Sequence, residues 1–413
     1  MNVDAMRRID RWAGVPLCFF LTLARRLFPS RRSDATAPKR VLFIELSEMG
    51  STILADPAMR KARQAFGAEL YFVIFRRNAE SLGFLRTIPE ANVYTIREDS
   101  LLTLALDTLG FLAWTRRLRI DTVIDLELFS RFTALLTALC GATRRVGFYR
   151  FHNEGLYRGE LLSHRVAYNP HIHIAKNFVA LINALQGPAD QVPFSKTVID
   201  DAEIVIPHLP VAAAARTAML ARIRECRPDF DPEKQRIVLI NPNASELLPQ
   251  RRWPQEHFAA LTARILAAWQ DVLVLITGAP EEKAEAEHLR NRLNDPRLIN
   301  FAGRQKLTEL PALYSLATLM ISNDSGPGHF AATSGMPVIS LFGPETPALY
   351  GPLGEGACLT AGMACSPCVS AYNHRKTACR EPLCMQMLLP DLVFEEVRRW
   401  LGKDGTALRS ASR

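Results

Sequence analysis

The stretch from Leu319 to Gly354 constrains the fold of this chain more than any other. Ala317-Thr318-Leu319-Met320-Ile321 is an apolar run that suits a parallel strand buried on both faces. It leads into Asn323-Asp324-Ser325-Gly326-Pro327-Gly328-His329, and Phe330 to Gly335 then reads as a helix start rich in small residues. Pro337 to Phe342 is a second strand, ending in Phe342-Gly343-Pro344. A glycine-rich turn between strand and helix gathers free backbone N–H groups and the positive helix end at one point, which suits phosphate. Asp324 and His329 are placed to hold sugar or ribose hydroxyls, or to cap the following helix. The plain alternative is a loop that only joins strand to helix.

At 413 residues the chain exceeds one comfortable core, so two domains are expected. The formal charge of +8 raises the question of nucleic acid. Residues 1–40 hold nine Lys and Arg against Asp4, Asp10 and Asp34, so the remaining chain carries only +2. A nearly neutral body argues against a nucleic-acid surface.

The same N-terminal segment contains an apolar run from Trp12 to Ala24. It is too short to span a bilayer, and Gly14 and Pro16 weaken a helix through it. Arg7, Arg8 and Arg11 precede it, and Arg25, Arg26, Arg31 and Arg32 follow, where a signal peptide needs a small-residue cleavage site. Arginines on both flanks suit a segment lying on an anionic membrane face. A helix packed on the protein's own body and a signal peptide are the alternatives.

Eight cysteines are present, and Cys365, Cys368, Cys379 and Cys384 cluster as C-x2-C-x10-C-x4-C. Such a cluster suits a structural metal, two disulfides or free thiols packed in a loop. Cys18, Cys140, Cys226 and Cys358 read as ordinary buried thiols.

The rest of the chain reads as two βα-repeating halves. In the first, strands at 41–46, 71–75 and 122–126 alternate with helices at 52–66 and 130–140. In the second, strands at 236–240 and 271–277 precede the opening motif, with helices from Pro254, from Glu281 and at 307–316. Alternation of this kind implies parallel sheets covered on both faces. The expected divisions are a tail at 1–37, a domain at 38–205, a connection at 206–235, a domain at 236–390 and a C-terminal helix and tail at 391–413. The loops at 241–252, 277–281 and 322–329 follow strands, where open parallel sheets bind ligands.

Leu46-Ser47-Glu48-Met49-Gly50, Asn241-Pro242-Asn243-Ala244-Ser245, Arg251-Arg252-Trp253-Pro254, Asn323 to His329 and Phe342 to Pro347 together resemble glycosyltransferase family 9, the ADP-heptose:lipopolysaccharide heptosyltransferases. The resemblance runs over roughly residues 40–400 and is more specific in the second half. It implies a GT-B fold, two Rossmann-like domains facing a cleft, with the donor in the second. It also implies inverting, metal-independent transfer of heptose from ADP-heptose to a lipid-linked lipopolysaccharide core acceptor. That reaction takes place at the inner face of the cytoplasmic membrane, with no cofactor required.

Carried onto this chain, the donor would be held by Asn241, Asn243, Ser245, Arg251, Arg252, Gly278, Asp324, Ser325, Gly326, Gly328 and His329. The family's proposed base is an Asp directly after the glycine of the first motif, and here that position is Ser51. Glu48, in the same loop, is then the candidate base, with Ser51 facing the acceptor. The alternatives are another nucleotide-sugar as donor, or a catalytically inactive nucleotide-sugar-binding partner.

Overall fold

The computed structural model describes residues 3–28, 37–128, 130–151, 156–187, 196–370 and 375–402. The chain divides into two compact units at Val205–Ile206.

Unit 1 opens with helices α1 (Val3–Trp12) and α2 (Gly14–Leu27). The α/β body follows as β1 (Arg40–Ile44), α3 (Met49–Phe66), β2 (Glu69–Phe75), β3 (Val93–Ile96), α4 (Leu101–Arg117), β4 (Thr122–Asp125), α5 (Arg131–Leu139), β5 (Arg144–Phe148), β6 (His164–Val166) and α6 (Ile174–Asn183). The six strands are parallel in the order β3-β2-β1-β4-β5-β6. β1 is central, and Val41 to Ile44 are fully buried. The sheet grows in opposite directions from β1, so right-handed crossovers place α3 on one face and α4 and α5 on the other.

The N-terminal segment is part of this unit. Gly14, Cys18 and Thr22 form a buried stripe on α2 that packs against Ala134, Ala138 and Leu161. The carboxylate of Asp10 accepts hydrogen bonds from the backbone N–H of Arg131 (2.8 Å) and Phe132 (2.9 Å) and from the Arg131 guanidinium (3.1 Å). Gly14 and Pro16 do not break α2, because the helix begins at Gly14. Pro16 therefore lies in the first turn, where no N–H is needed. A Cβ on Gly14 would meet Arg131 Cβ at 2.7 Å, so the close approach of α2 to α5 requires glycine. The remainder of the expected tail, 29–36, lies outside the described residues, as does 403–413.

Unit 2 contains α7 (Ala213–Cys226), β7 (Arg236–Asn241), α8 (Gln255–Ala268), β8 (Val272–Ile276), α9 (Lys283–Leu293), β9 (Leu298–Asn300), α10 (Leu310–Tyr314), β10 (Leu319–Asn323), α11 (Gly326–Ala331), β11 (Val338–Leu341), α12 (Pro347–Tyr350), β12 (Gly356–Leu359), α13 (Leu383–Gln386) and α14 (Pro390–Leu401). Its six parallel strands run β12-β11-β10-β7-β8-β9. Val238, Ile240, Val274, Ile276, Ile321 and Ile339 fill its centre, and α14 adds Val393, Val397 and Leu401 to the same core. Residues 206–235, expected as a connection, belong to unit 2. Met219 and Ile223 of α7 are buried, and Arg222 pairs with Glu309 at 2.7 Å.

Candidate active site

In unit 2 the loops after β7, β8 and β10 stand at the same end of the sheet, because parallel neighbours all point one way. One side chain joins two of them. The Asn323 amide donates to the carbonyls of Pro242 (2.8 Å) and Asn243 (3.3 Å), while its carbonyl accepts from the Trp253 backbone N–H (3.0 Å). Trp253 is buried and its indole N–H donates to Leu388 O at 2.7 Å. Loops 241–253 and 323–329 are thereby one construction.

The expected donor residues fall into three groups. Arg251 and Asp324 come together beside the turn Ser325–Gly328, and His329 follows on α11. Arg251 Nη1 lies 3.5 Å from Asp324 Oδ2, and both side chains are largely buried. Arg251 Nε is buried with no hydrogen-bond partner among the described residues, an unsatisfied cationic donor at the strand ends. His329 is buried on α11. The helix starts at Gly326, earlier than its small residues suggest, with Pro327 in its first turn.

Asn243 and Gly278 form the second group, joined by Glu282, which the sequence reading passed over. A Cβ on Gly278 would meet Glu282 Oε2 at 2.8 Å and Asn243 Nδ2 at 2.9 Å. Glu282 also accepts the Ala279 N–H at 2.7 Å, and burial raises its carboxyl above the ordinary range. The third group is engaged in holding the fold. Asn241 donates to Thr277 O and Oγ1, tying β7 to β8. Ser245 accepts from Leu247 N–H, and the Ser325 hydroxyl is 3.1 Å from that of Ser322. Arg252 is turned onto Ala244 O and Glu246 rather than toward Asp324. The basic pair is thus split into one inward and one outward guanidinium.

In unit 1 the loop after β1 carries Glu48 and Ser51. Glu48 is the residue preceding α3, and its Oε2 accepts from the Ser51 hydroxyl at 3.1 Å. The loop is fixed from β4. Glu127 Oε1 accepts from Leu46 N–H (3.1 Å), Ser47 N–H (3.2 Å) and the Ser47 hydroxyl (2.7 Å). Burial raises the Glu127 carboxyl, and the charges of Asp125 and Glu48 push the same way against the Ser47 hydrogen bond. Asp125 is buried against Arg158 and is also raised, burial outweighing that cation. Asp56 is fully buried between Arg60 and Thr87, away from this loop.

The four clustered cysteines are free thiols. Cys365 and Cys368 are exposed, Cys379 is half-buried, and Cys384 is buried. The Cys379 thiol donates to Glu381 O, and burial raises that of Cys384. Among the described residues no three His, Cys, Asp or Glu side chains are gathered to hold a metal ion. The metal expected at Cys365, Cys368, Cys379 and Cys384 has no ligand set there. The Cys368 thiol donates to the Thr377 hydroxyl at 3.5 Å, while Cys384 packs beside Gly343.

Two six-stranded parallel α/β units, the second with a Gly-rich turn after β10, define the GT-B class. A model of glycosyltransferase family 9 (heptosyltransferase) matches residues 115–378, and the chain belongs to that family. It is 30% identical over 172 residues to lipooligosaccharide heptosyltransferase 2 of Haemophilus influenzae, covering 40% of this chain and 48% of that protein. The chain thus spans about half the length of the curated relatives it matches. Its fold is similar to that of E. coli ADP-heptose LPS heptosyltransferase II, with TM-score 0.66 and 18% identity over 87% of this chain and 98% of that one. It is also similar to E. coli heptosyltransferase WaaC solved with ADP-2-deoxy-2-fluoro heptose, with TM-score 0.56 and 17% identity over 87% and 99%.

Proposed function

We propose that the protein is an inverting, metal-independent heptosyltransferase. It would move heptose from ADP-heptose to a lipid-linked saccharide of the lipopolysaccharide core at the inner face of the cytoplasmic membrane. The observation that carries the donor half is Arg251, a buried guanidinium with an unsatisfied Nε beside the turn of β10. A diphosphate supplies the acceptor oxygens that this group lacks, and the backbone N–H groups of Ser325 and Gly326 add donors. The WaaC structure solved with an ADP-sugar supports the same ligand class.

In this reading Glu48 takes the proton of the acceptor hydroxyl as that oxygen attacks the anomeric carbon. The bond to the diphosphate breaks, and ADP leaves with its charge held by Arg251. The test is turnover by the purified protein with ADP-heptose and a panel of other nucleotide-sugars, with and without chelator. Transfer from another sugar alone would change the donor. Binding of ADP-heptose without any turnover would favour the inactive nucleotide-sugar-binding partner, which the serine at position 51 motivates. Loss of transfer on chelation would remove the metal-independent mechanism.

A further inference from the structure

Most of the large exposed apolar side chains among the described residues lie on the helices of one face of unit 1. On α2, Leu17, Phe20 and Leu23 stand away from the stripe that packs on α5, and Phe20 is 63% exposed. On α4, Leu102, Leu106 and Leu109 recur at helical spacing and are 69%, 54% and 65% exposed, while Phe111 and Thr115 are buried. A surface helix ordinarily turns polar residues outward; these two turn leucine and phenylalanine outward. Both touch α5, and α4 and α5 share one face of the sheet. Exposed apolar area of this extent marks an interaction surface.

The charges on these helices identify the occupant. α2 has no acidic residue. The single acidic residue of α4, Asp107, is engaged by Arg97 through hydrogen bonds of 2.8, 2.9 and 2.7 Å. Arg8, Arg11 and Arg117 are exposed on the same group of helices. A second copy docking through this face would set arginine against arginine. An anionic bilayer matches both the apolar and the cationic character. No helix among the described residues is long and apolar enough to cross a membrane. The 14-residue α2 reaches about 21 Å against about 30 Å of hydrocarbon, so it would lie in the interface.

We infer that α2 and α4 together form one bilayer-docking face for anionic lipid. It rests on the membrane reading above, which it carries from the N-terminal segment into the body of unit 1, while its test needs neither donor nor acceptor. The full-length protein is mixed with phosphatidylcholine vesicles containing or lacking phosphatidylglycerol, and binding is read by co-sedimentation. Binding is expected only with phosphatidylglycerol and should weaken with salt. Leu102→Glu/Leu106→Glu/Leu109→Glu should lower it at least about tenfold, as should Leu17→Glu/Phe20→Glu/Leu23→Glu. Leu392→Glu, an exposed apolar site of unit 2, should leave it unchanged. Circular dichroism checks folding, and Leu→Gln at the α4 positions gives a milder second variant. Parental binding by both α4 variants overturns the proposal, as does equal binding to neutral vesicles. A dimer abolished by the α4 changes, with no vesicle binding by the parent, would assign the face to a second copy instead.

Discussion

The hydroxyl of Ser51 donates to the carboxylate of Glu48 across 3.1 Å at the start of α3. The serine at the position where the family places its proposed base thus contacts the nearest carboxylate of the loop. Glu48→Gln keeps the shape and removes the basicity. It is expected to lower transfer by about 10²–10⁴-fold, with donor affinity unchanged. Single-turnover rates and calorimetry read the two separately, and a near-parental rate would eliminate Glu48. Ser51→Asp restores a carboxylate to position 51, and faster transfer would place that position at the acceptor.

Arg251 and Arg252 should separate in a binding experiment. Arg251→Ala removes the inward guanidinium and is expected to weaken ADP-sugar binding by about 1.5–3 kcal/mol. Arg252→Ala removes a group engaged by Ala244 O and Glu246 and should cost less than half of that. Equal losses in calorimetry would contradict the split between the two side chains.

The buried carboxyls of Asp125 and Glu127 give unit 1 a defined pH dependence. Both are raised above the ordinary values of 3.8 and 4.5, chiefly by burial. A raised carboxyl contributes stability below its ordinary value, and that contribution is lost as pH rises through the raised one. Glu127→Gln keeps an oxygen for the three donors of the Leu46–Ser47 loop and removes the charge. Urea titrations at about pH 5 and about pH 8 should show a smaller loss of stability in the variant than in the parent. An equal loss would mean that Glu127 does not titrate in this window.

Asp10 covers the first N–H groups of α5 from outside that helix, alongside Ser130, which accepts from Thr133 N–H. Asp10→Ala leaves these donors and a largely buried Arg131 without their carboxylate. The expected cost is about 1–3 kcal/mol, read as a lower urea midpoint at an unchanged slope. A variant as stable as the parent would show that α1 and α2 rest on unit 1 without supporting it.

The helices and strands with a clear apolar period were legible in the sequence. Phe43, Ile44, Ile240 and Ile321 sit in continuous apolar runs because parallel strands are covered on both faces. α4 was not read, and its outward leucines explain why. With Leu102, Leu106 and Leu109 on one side and Phe111 on the other, no polar stripe marks a solvent face. β6, three residues long, carries too little pattern to register. Within the candidate site, Arg251, Asp324 and Gly278 were visible as motif residues. The roles of Glu127 and Glu282 were not, because each acts on a loop far away in sequence or on a backbone whose path sequence does not reveal.

Asn323 sets a limit on how this chain can change over time. Its amide end faces two carbonyl oxygens and its carbonyl end faces one N–H, so every polar contact depends on the difference between the two ends. Aspartate has the same size and shape, yet it would set a negative oxygen against the Pro242 and Asn243 carbonyls. A single base change or one deamidation event would therefore push loops 241–253 and 323–329 apart, with no clash of volume to announce it. Position 323 is closed to even its nearest isostere.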